Sequence, residues 1–406
     1  MKPEPKIKVC MLSTMYLRYR NDTRGLMVFE TNRNLLKQGI DVSVVAPNDQ
    51  GCKSFEVMDG VQIYRFSYFL PKKLQKLAYG SGIPTNLRKS VLAKLQIVPF
   101  FLAFLMKTIK VSRKCDIIHC QWIASGFIGL LAGKFTKKPV VVTVRRVGRR
   151  GIMKMINRYV LKRADYVIFN SSYTQKESLK TARPETYSVI HNSIDTDKFR
   201  PMKTDLKKEL GIEGKKMIFS MGLLVEKKGF DYLLKAMPEV LKENKDAVLV
   251  IAGGGEQEKE LKALSKELGI DDHVKFVGTV SAEKTPEYYN ASDLFVLASI
   301  VDSKGETETL GVVLMEALAC GKPVVTTDVG GIPDVVSEEC GYLVRPKDPG
   351  KLSEKINLLL SDKKKAENMG SKGRKRMLKF FDWERSGNST MEAYKKVLDK
   401  QKPKLR

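Results

Sequence analysis

The chain has 406 residues, of which 43% are hydrophobic and 29% charged, and its formal net charge is +26. This length and composition predict a globular protein of two domains with separate cores, and they exclude a disordered or fibrous chain. The six cysteines are scattered without a CxxC pair, and the N-terminus runs directly into a predicted strand. Both features favour reduced thiols in a cytoplasmic protein.

The positive charge is concentrated in one segment. Residues 61–164 contain 22 Lys and Arg against a single acid, Asp116. Such segregation predicts an anionic partner, which is a nucleic acid, an acidic lipid surface or a phosphorylated substrate. A generally Lys-rich solvated surface is the alternative, but it would not exclude acids so completely.

The first half of the chain begins with a predicted βαβ unit. Lys6–Thr14 and Asp41–Ala46 are predicted strands, joined by a polar loop and an amphipathic helix, which implies a parallel sheet. Ligands of such sheets bind beyond the carboxyl ends of the strands. The loop after the first strand offers Arg18, Arg20, Asp22, Thr23, Arg24 and Gly25.

An uncharged apolar run follows at Leu95–Met106. It has 12 residues and contains Pro99, so it is too short to span a bilayer. The run predicts a buried helix, and a helix at a membrane interface flanked by cations is the alternative. We expect burial, since that is the more frequent outcome for such a run.

The alternation of strands and helices restarts at Lys216, which places a domain boundary near 195–215. The connector holds an Asp-x-Asp pair, Asp195 and Asp197. Such a pair ligates a metal in some sugar-nucleotide enzymes, but at this position we expect turn and capping roles. A last predicted helix, Trp383–Leu398, lies beyond the second sheet.

The segment Glu306–Val325 reads ETETLGVVLMEALACGKPVV. It predicts a loop carrying Glu308, then an apolar helix carrying Glu316, and a stop at Gly321 and Pro323. A carboxylate at Glu316 needs hydrogen-bond donors there. The N–H groups at the helix start, around 309–311, also need partners, which phosphate or sugar hydroxyls supply.

Five motifs occur in order along the chain. They are HNSIDTDKFRP at 191–201, GLLVEKKGFDYLLKA at 222–236, AGGGEQEKEL at 252–261, the Glu-x7-Glu unit at 308–316 and DVGGIPDVV at 328–336. With them the chain resembles the retaining glycosyltransferases of family 4 (glycosyl transferases group 1). The resemblance implies the α/β GT-B architecture, which is two doubly wound Rossmann-like domains facing a cleft. It implies an acceptor-binding domain at 1–198, a nucleotide-sugar-binding domain at 199–382, and a C-terminal helix at 383–406 that returns to the first domain.

The resemblance also implies roles for individual residues. The catalytic group is Glu308 and Lys228, and we add Arg145 to it as a hypothesis of our own, because the family does not carry an arginine there. The donor-binding group is Gly222, Gly229, Thr309, Leu310, Gly311, Glu316 and Gly278. The acceptor-side group is Arg18, Arg24, Gly25 and His119, of which His119 has an equal alternative as a core histidine. The family implies no metal and no cofactor beyond the nucleotide-diphosphate sugar, and three histidines without ligand spacing agree.

Three positions depart from the family pattern. Leu223 stands where an arginine usually follows Gly222, which removes one bidentate diphosphate donor. Arg145 stands where the family carries a histidine that contacts the donor sugar, and Gln121 stands where relatives often carry a second histidine. We expect Arg145 or its neighbour Arg146 to reach the diphosphate and offset Leu223.

The sequence thus predicts a glycosyltransferase that moves a sugar with retention to a hydroxyl of a glycan or lipid-linked acceptor, in cell-surface polysaccharide or glycolipid synthesis. The expected location is cytoplasmic or peripheral at the inner membrane face, reached through the basic region 61–164. Another GT-B enzyme, such as a sugar-nucleotide epimerase or a phosphorylase, is one alternative. A basic nucleic-acid-binding protein is the other, although no recognised nucleic-acid module is present. A catalytically silent family member also stays open because of Leu223 and Arg145.

Overall fold

The computed structural model of the chain describes residues 6–20, 22, 24–80, 82–147 and 151–401. Thr23, part of the basic region at 148–150 and the end of the predicted final helix at 402–406 lie outside these residues. The chain divides into two compact units, residues 1–190 with 383–406 and residues 191–382. Each unit is built on its own predominantly parallel sheet. The prediction of two Rossmann-like α/β domains is confirmed.

The first unit contains a sheet with the strand order β3-β4-β2-β1-β5-β6-β7-β8 over the described residues. β3 and β4 are antiparallel, and the other pairs are parallel. The central strands are continuous apolar runs such as VVVTV, because both faces of a parallel sheet are covered by helices. The strands are β1 Lys8–Leu12, β2 Asp41–Pro47, β3 Phe55–Met58, β4 Val61–Phe66, β5 Ile117–Cys120, β6 Val140–Val144, β7 Tyr166–Phe169 and β8 Tyr187–Val189.

Helices cover both faces of this sheet, and one of them comes from the end of the chain. This helix, α16 (Trp383–Gln401), buries Ala393, Tyr394 and Val397 in the same core as strands β1 and β2. The prediction that the C-terminal helix returns to the first domain is therefore confirmed. The helices are α1 Leu26–Lys37, α2 Ile83–Lys89, α3 Val91–Leu95, α4 Ile97–Ser112, α5 Ile123–Thr136, α6 Gly151–Arg163, α7 Ser172–Leu179 and α16 Trp383–Gln401.

The second unit has the strand order β11-β10-β9-β12-β13-β14, all parallel, over the described residues. Its strands are β9 Lys216–Met221, β10 Ala247–Ala252, β11 Val274–Gly278, β12 Leu294–Leu297, β13 Val324–Thr327 and β14 Gly341–Val344. Its helices are α8 Leu206–Glu209, α9 Phe230–Glu243, α10 Glu258–Glu267, α11 Thr285–Ala291, α12 Val312–Ala319, α13 Ile332–Val335, α14 Pro349–Ser361 and α15 Lys363–Phe380. The direction of strand progression reverses between β9 and β12, which is where ligands of this fold bind.

The division between the units lies at 190/191, eight residues before the predicted boundary at 198/199. Packing explains the difference. Ile194 and Phe199 are buried in the core of the second unit, and the backbone N–H of Ile194 donates to the carbonyl of Phe381 at 2.9 Å. The connector motif therefore belongs to the second unit.

Two features of the first unit differ from expectation. The edge strand β3 was not predicted, because none of its four residues is buried and it lacks the apolar alternation that marks a strand. The apolar run at 95–106 was expected to be buried, but it falls on α3 and α4, where one face is buried and the opposite face is exposed. No helix among the described residues is both long and apolar enough to cross a membrane.

Candidate functional site

The loops that follow β9 and β12 lie against each other in the second unit. Gly229 has φ +64°, and a Cβ there would collide with the carbonyl oxygen of Ala298, so only glycine allows this approach. The N–H of Ile300 also donates to the carbonyl of Lys227 at 2.9 Å. The close contact places the side chain of Lys228 at the carboxyl end of the sheet, where the strand order reverses.

Lys228 and Glu308 form an ion pair at this point. The Nζ of Lys228 lies 2.9 Å from Oε1 of Glu308, and the two side chains are only 13% and 12% exposed. Burial by itself raises the pKa of the Glu308 carboxyl, but the ammonium groups of Lys228 and Lys227 outweigh it and hold this pKa below its ordinary value. Glu308 is therefore an ionised carboxylate at neutral pH.

The backbone of Glu308 is fixed independently of its side chain. Its carbonyl accepts the N–H of Gly331 at 3.0 Å, and a Cβ on Gly330 would collide with that oxygen. One residue earlier, the hydroxyl of the buried Thr307 donates to the carbonyl of Ile300 at 2.9 Å. The carboxylate thus projects from a rigid loop, which favours a positioning role.

The start of α12 presents backbone donors beside this carboxylate. Gly311, at φ +85°, precedes the first helical residue, Val312. No described residue accepts a backbone hydrogen bond from Thr309, Leu310 or Gly311. The Leu310 side chain is buried in the core, so any ligand contact at this position goes through its backbone. These amides and the positive end of the helix dipole form a site for negative charge.

Glu316 lies inside α12, as predicted, and the hydroxyl of Tyr289 donates to its Oε2 at 2.7 Å. Burial raises the pKa of Glu316 to about 7, although the hydrogen bond from Tyr289 and the charges of Lys198 and Lys228 oppose this rise. Sequence reasoning missed Tyr289, because it lies on α11, 27 residues earlier in the chain.

The remaining predicted donor-side glycines meet at the ends of β9, β10 and β11. The N–H of Gly253 donates to the carbonyl of Gly278 at 2.7 Å. Gly253 also abuts the carbonyl of Gly222, where a Cβ would not fit. Gly222 itself packs against the side chain of Lys228, with 3.3 Å between the place of a Cβ and the lysine Cε. Gly222, Gly229 and Gly278 are thus brought near Lys228 by one set of loops.

In the first unit, Arg145 follows β6 and contacts Gln121, which follows β5. Oε1 of Gln121 accepts hydrogen bonds from Nε of Arg145 at 3.2 Å and from Nη2 at 2.8 Å. Burial lowers the pKa of Arg145 to about 10, so it remains a cation at neutral pH. The structure therefore brings together the two positions at which the chain departs from the family histidines.

His119 is 2% exposed, and both of its ring nitrogens have partners inside the first unit. Nδ1 lies 2.6 Å from the hydroxyl of Tyr394, and Nε2 lies 2.7 Å from Oγ1 of Thr143. Burial, with the nearby charge of Arg145, lowers its pKa to about 3. This geometry favours the core interpretation of His119 over the acceptor-side one.

In the predicted acceptor-side loop, the carboxylate of Asp22 accepts hydrogen bonds from both Arg18 and Arg24. Nε of Arg18 donates to Asp22 at 2.7 Å, and its Nη1 donates to Asp49 at 3.2 Å. The backbone N–H of Arg24 also donates to Asp22, at 3.2 Å. Gly25, at φ +79°, lies so close to Tyr16 that a Cβ would clash with its backbone. The charge of Arg18 is thus balanced by Asp22 within the loop and by Asp49 after β2, and Gly25 has a structural reason to be glycine.

The Asp-x-Asp pair has the predicted turn role. Oδ1 of Asp195 accepts the backbone N–H groups of Asp197 at 3.1 Å and Lys198 at 2.9 Å. Within the residues that the structure describes, no three His, Cys, Asp or Glu side chains come together as a metal site requires.

Comparisons with known proteins place a family on each unit. The model described as "Glycosyltransferase Family 4" matches residues 25–198. The model described as "Glycosyl transferases group 1" matches residues 202–376. One relative is the GDP-mannose-dependent alpha-(1-6)-phosphatidylinositol monomannoside mannosyltransferase of Mycobacterium tuberculosis. It is 31% identical over 242 residues, which are 57% of this chain and 63% of that protein, less than two thirds of its length.

Solved structures of GT-B proteins match along nearly the whole chain. Sucrose-phosphate synthase from Thermosynechococcus elongatus superposes with a TM-score of 0.80 at 21% identity, covering 98% of this chain and 100% of that one. HepE of Anabaena, crystallised with UDP, has a TM-score of 0.75 at 20% identity and covers 97% of this chain and 100% of its own. At such identities the likeness shows the GT-B fold.

Proposed function

The chain belongs to the family 4 and group 1 glycosyltransferases, and we propose that it transfers a sugar with retention from a nucleoside-diphosphate sugar to a hydroxyl of a glycan or lipid-linked acceptor. The observation that carries the proposal is the ion pair of Lys228 and Glu308 beside the backbone amides at the start of α12. An ammonium, a carboxylate and helix-terminal amides together match the phosphates and the hydroxyls of such a donor.

The chemistry of the leaving group accounts for the cations. As the glycosidic bond breaks, negative charge accumulates on the leaving nucleoside diphosphate. Preorganised positive groups stabilise this charge more in the transition state than in the ground state. Lys228 and the amides of Thr309–Gly311 supply them in the second unit, and we assign the diphosphate to Lys228, Gly222 and Gly229.

We assign Glu308 to binding and orientation of the donor sugar. Its carboxylate is held by an ammonium and its backbone is rigid, so its role is to accept hydrogen bonds from sugar hydroxyls. In the proposed mechanism the leaving phosphate accepts the proton of the acceptor hydroxyl on the face from which it departs. No protein nucleophile and no metal is required by this scheme.

We assign Glu316 to the hydroxyls of the donor ribose. Tyr289 donates to one of its oxygens and fixes the carboxylate, and vicinal hydroxyls are good donors to such a group. Gly278 borders the nucleobase in this proposal. The mycobacterial relative is named for a GDP-linked donor, whereas HepE was crystallised with UDP. A screen of donors should therefore include more than one base.

We further propose that the acceptor is carried by an anionic lipid, in line with the basic region 61–164 and with the phosphatidylinositol mannoside named for the mycobacterial relative. Cell-surface polysaccharide or glycolipid synthesis is the corresponding process, at the inner face of the membrane. Arg24 and the loop around it, in the first unit, are the proposed acceptor side.

The test is a screen of UDP-, GDP- and ADP-sugars for thermal stabilisation of the protein and for donor hydrolysis. A donor at 100 times its Kd should add about 2.7 kcal/mol to the free energy of unfolding. Lys228→Met should abolish that stabilisation. The matched control is Lys235→Met, because Lys235 forms an exposed ion pair with Asp231 on α9. The proposal fails if no nucleotide sugar stabilises the wild type or if Lys228→Met responds like the control.

Product analysis separates the transferase from other GT-B reactions. A sugar epimerised without transfer to an acceptor would show an epimerase. Cleavage that depends on inorganic phosphate would show a phosphorylase. Either result would replace the transfer reaction while leaving the donor site in place.

A further inference from the structure

The helix α4 is apolar on two opposite faces, and only one of them is covered. Phe100 and Phe104 are 7% and 0% exposed and pack against Phe66, with ring centroids 5.2 and 4.7 Å away. This face holds the helix on the first sheet. A helix that is apolar all round is normally buried or in contact with lipid.

The opposite face carries a continuous row of exposed aliphatic side chains, which we call the apolar stripe. Its members are Val91, Leu95, Val98, Leu102 and Met106, which are 72%, 68%, 65%, 49% and 65% exposed. Their spacing of four, three, four and four residues keeps them on one side of the nearly continuous helices α3 and α4. At 1.5 Å per residue the stripe extends about 22 Å.

A basic turn lies beside the start of the stripe. Gln96, between α3 and α4, is buried and accepts the N–H of Lys76 at 2.9 Å, while its amide donates to the carbonyl of Leu74 at 2.6 Å. These bonds hold residues 72–76 against the helix junction. Lys72, Lys73 and Lys76 are exposed, so cations flank the stripe at this end.

A basic groove of about 420 Å³ lies at the other end. Lys107, Lys110 and Lys114, from the C-terminal part of α4 and the residues after it, line the groove together with Lys8 and one acid, Asp41. Burial, and then repulsion from Lys110, lowers the pKa of Lys107. Four lysines thus share the groove with one carboxylate, and an anion there would reduce the repulsion between Lys107 and Lys110.

The charges around the stripe select among partners. Residues 71–114 contain ten Lys and Arg and no Asp or Glu. Two copies of this surface would repel each other, which disfavours self-association. The stripe is aliphatic and has no aromatic side chain on which bases could stack. An anionic bilayer matches both the aliphatic stripe and the positive charge around it. Its acyl boundary takes up the aliphatic side chains, and its phosphates attract the lysines.

We propose that the apolar stripe is the membrane-docking surface of this protein, with α4 lying in the plane of an anionic bilayer. Lys72, Lys73 and Lys76 contact lipid phosphates at one end, and the lysines of the basic groove contact them at the other. The inference deepens the proposed function and rests on it for the biological reason to approach a lipid-linked acceptor. The docking itself is independent of the transfer reaction.

The experiment is co-sedimentation of the full chain, without donor, with vesicles of pure phosphatidylcholine or of phosphatidylcholine with phosphatidylglycerol. At low salt the wild type should bind the vesicles that contain phosphatidylglycerol and should not bind those of pure phosphatidylcholine. The triple variant Lys107→Gln/Lys110→Gln/Lys114→Gln should lose about fivefold in partition per lysine, or about a hundredfold in total. Equal binding to both vesicles would overturn the role of charge.

The stripe is tested by Leu102→Asp against Leu378→Asp, which changes an equally exposed leucine, 46% accessible, on α15 of the second unit. Leu102→Asp should reduce partition at least tenfold, and Leu378→Asp should bind like wild type. Tryptophan placed at each position gives a second readout. Emission of Leu102→Trp should shift to shorter wavelength on acidic vesicles, whereas that of Leu378→Trp should not.

Donor stabilisation measured without vesicles shows whether each variant is folded, and it keeps a failure of docking distinct from a failure of the transferase proposal. Retention of vesicle binding by Leu102→Asp would overturn the proposal. The proposal would also be overturned if the wild type binds no vesicle but self-associates, or binds a nucleic acid probe, and Leu102→Asp loses that interaction.

Discussion

Oε1 of Gln121 accepts hydrogen bonds from both Nε and Nη2 of Arg145, which links the ends of β5 and β6 in the first unit. The two residues stand at positions where the family pattern has histidines. Their contact shows that the two residues that differ from the family pattern act together, because the neutral amide of Gln121 orients the guanidinium of Arg145. The guanidinium is a stronger and more widely branched donor than an imidazole.

If Arg145 reaches the leaving diphosphate, as the sequence predicts, Arg145→Ala should lower kcat or raise the donor KM by an order of magnitude or more, because the variant loses that cation. The measurement is steady-state kinetics with the donor identified by the screen. Arg158→Ala, which removes an exposed arginine of α6, is the control. Wild-type kinetics of Arg145→Ala would refute the assignment.

Gln121→Leu should reduce activity less than Arg145→Ala, because the guanidinium stays but loses its acceptor. Gln121→Glu restores an acceptor oxygen and should recover more activity than leucine does. If both variants at Gln121 behave alike, the hydrogen bond does not position Arg145.

Nucleotide binding should strengthen as the pH rises from 6 to 8. With its pKa raised to about 7, Glu316 goes from about one tenth to about nine tenths ionised over this range, and the ionised form accepts the ribose hydroxyls. Calorimetric titration should therefore show about a tenfold gain in affinity. Glu316→Gln, which keeps an acceptor for Tyr289, should show no such dependence, and a parallel pH dependence in this variant would contradict the prediction.

Whereas ionisation of Glu316 should strengthen nucleotide binding as the pH rises, it should lower the stability of the folded protein. The pKa of Glu316 is higher in the folded protein than the ordinary 4.5, so its contribution is complete at low pH and is lost as the pH rises through about 7. The loss is on the order of 3 kcal/mol. The decrease in unfolding free energy between pH 5 and pH 8 should accordingly be smaller in Glu316→Gln.

Leu223→Arg should tighten the binding of a nucleoside diphosphate. Leu223 is 67% exposed next to Gly222, so a longer side chain fits without disturbing the core. A guanidinium there would add a charge-assisted donor, which is worth about 1.5 kcal/mol or roughly tenfold in Kd. Leu223→Gln, of similar length and no charge, should change Kd little. Equal affinities of the two variants would show that this position does not face the diphosphate.

The first unit should lose stability in acid through His119. Burial holds its pKa near 3, so its contribution to stability is complete above about pH 6.5 and is lost as the pH falls towards 3. The total loss is about 5 kcal/mol. In denaturant unfolding, His119→Gln should be less stable than wild type at pH 7. Its unfolding free energy should change less than that of wild type between pH 6.5 and pH 4. His273→Gln is the control, and an unchanged acid slope in His119→Gln would contradict this account.

Much of the fold and of the candidate site is determined by short segments of the sequence. The alternation of short apolar runs with longer amphipathic segments predicts both sheets, because a strand buried on both faces is continuously apolar and a helix on its surface repeats apolar residues about every 3.6 positions. Gly229 and Gly311, both at positive φ, immediately precede α9 and α12, so these local caps place Lys228 just before one helix and Glu316 inside the other. The sequence therefore predicts where Lys228 and Glu308 lie along the chain, and the resemblance predicts what they bind.

Contacts between distant segments were decided only by the tertiary structure. Tyr289 reaches Glu316 across 27 residues, and Gln121 reaches Arg145 across 24, and neither pairing follows from a local pattern. The apolar run of α4 is the clearest case. Its composition shows that each face avoids water, but whether a face is covered depends on what packs against it. Only the packing of Phe100 and Phe104 on the sheet shows which face remains exposed.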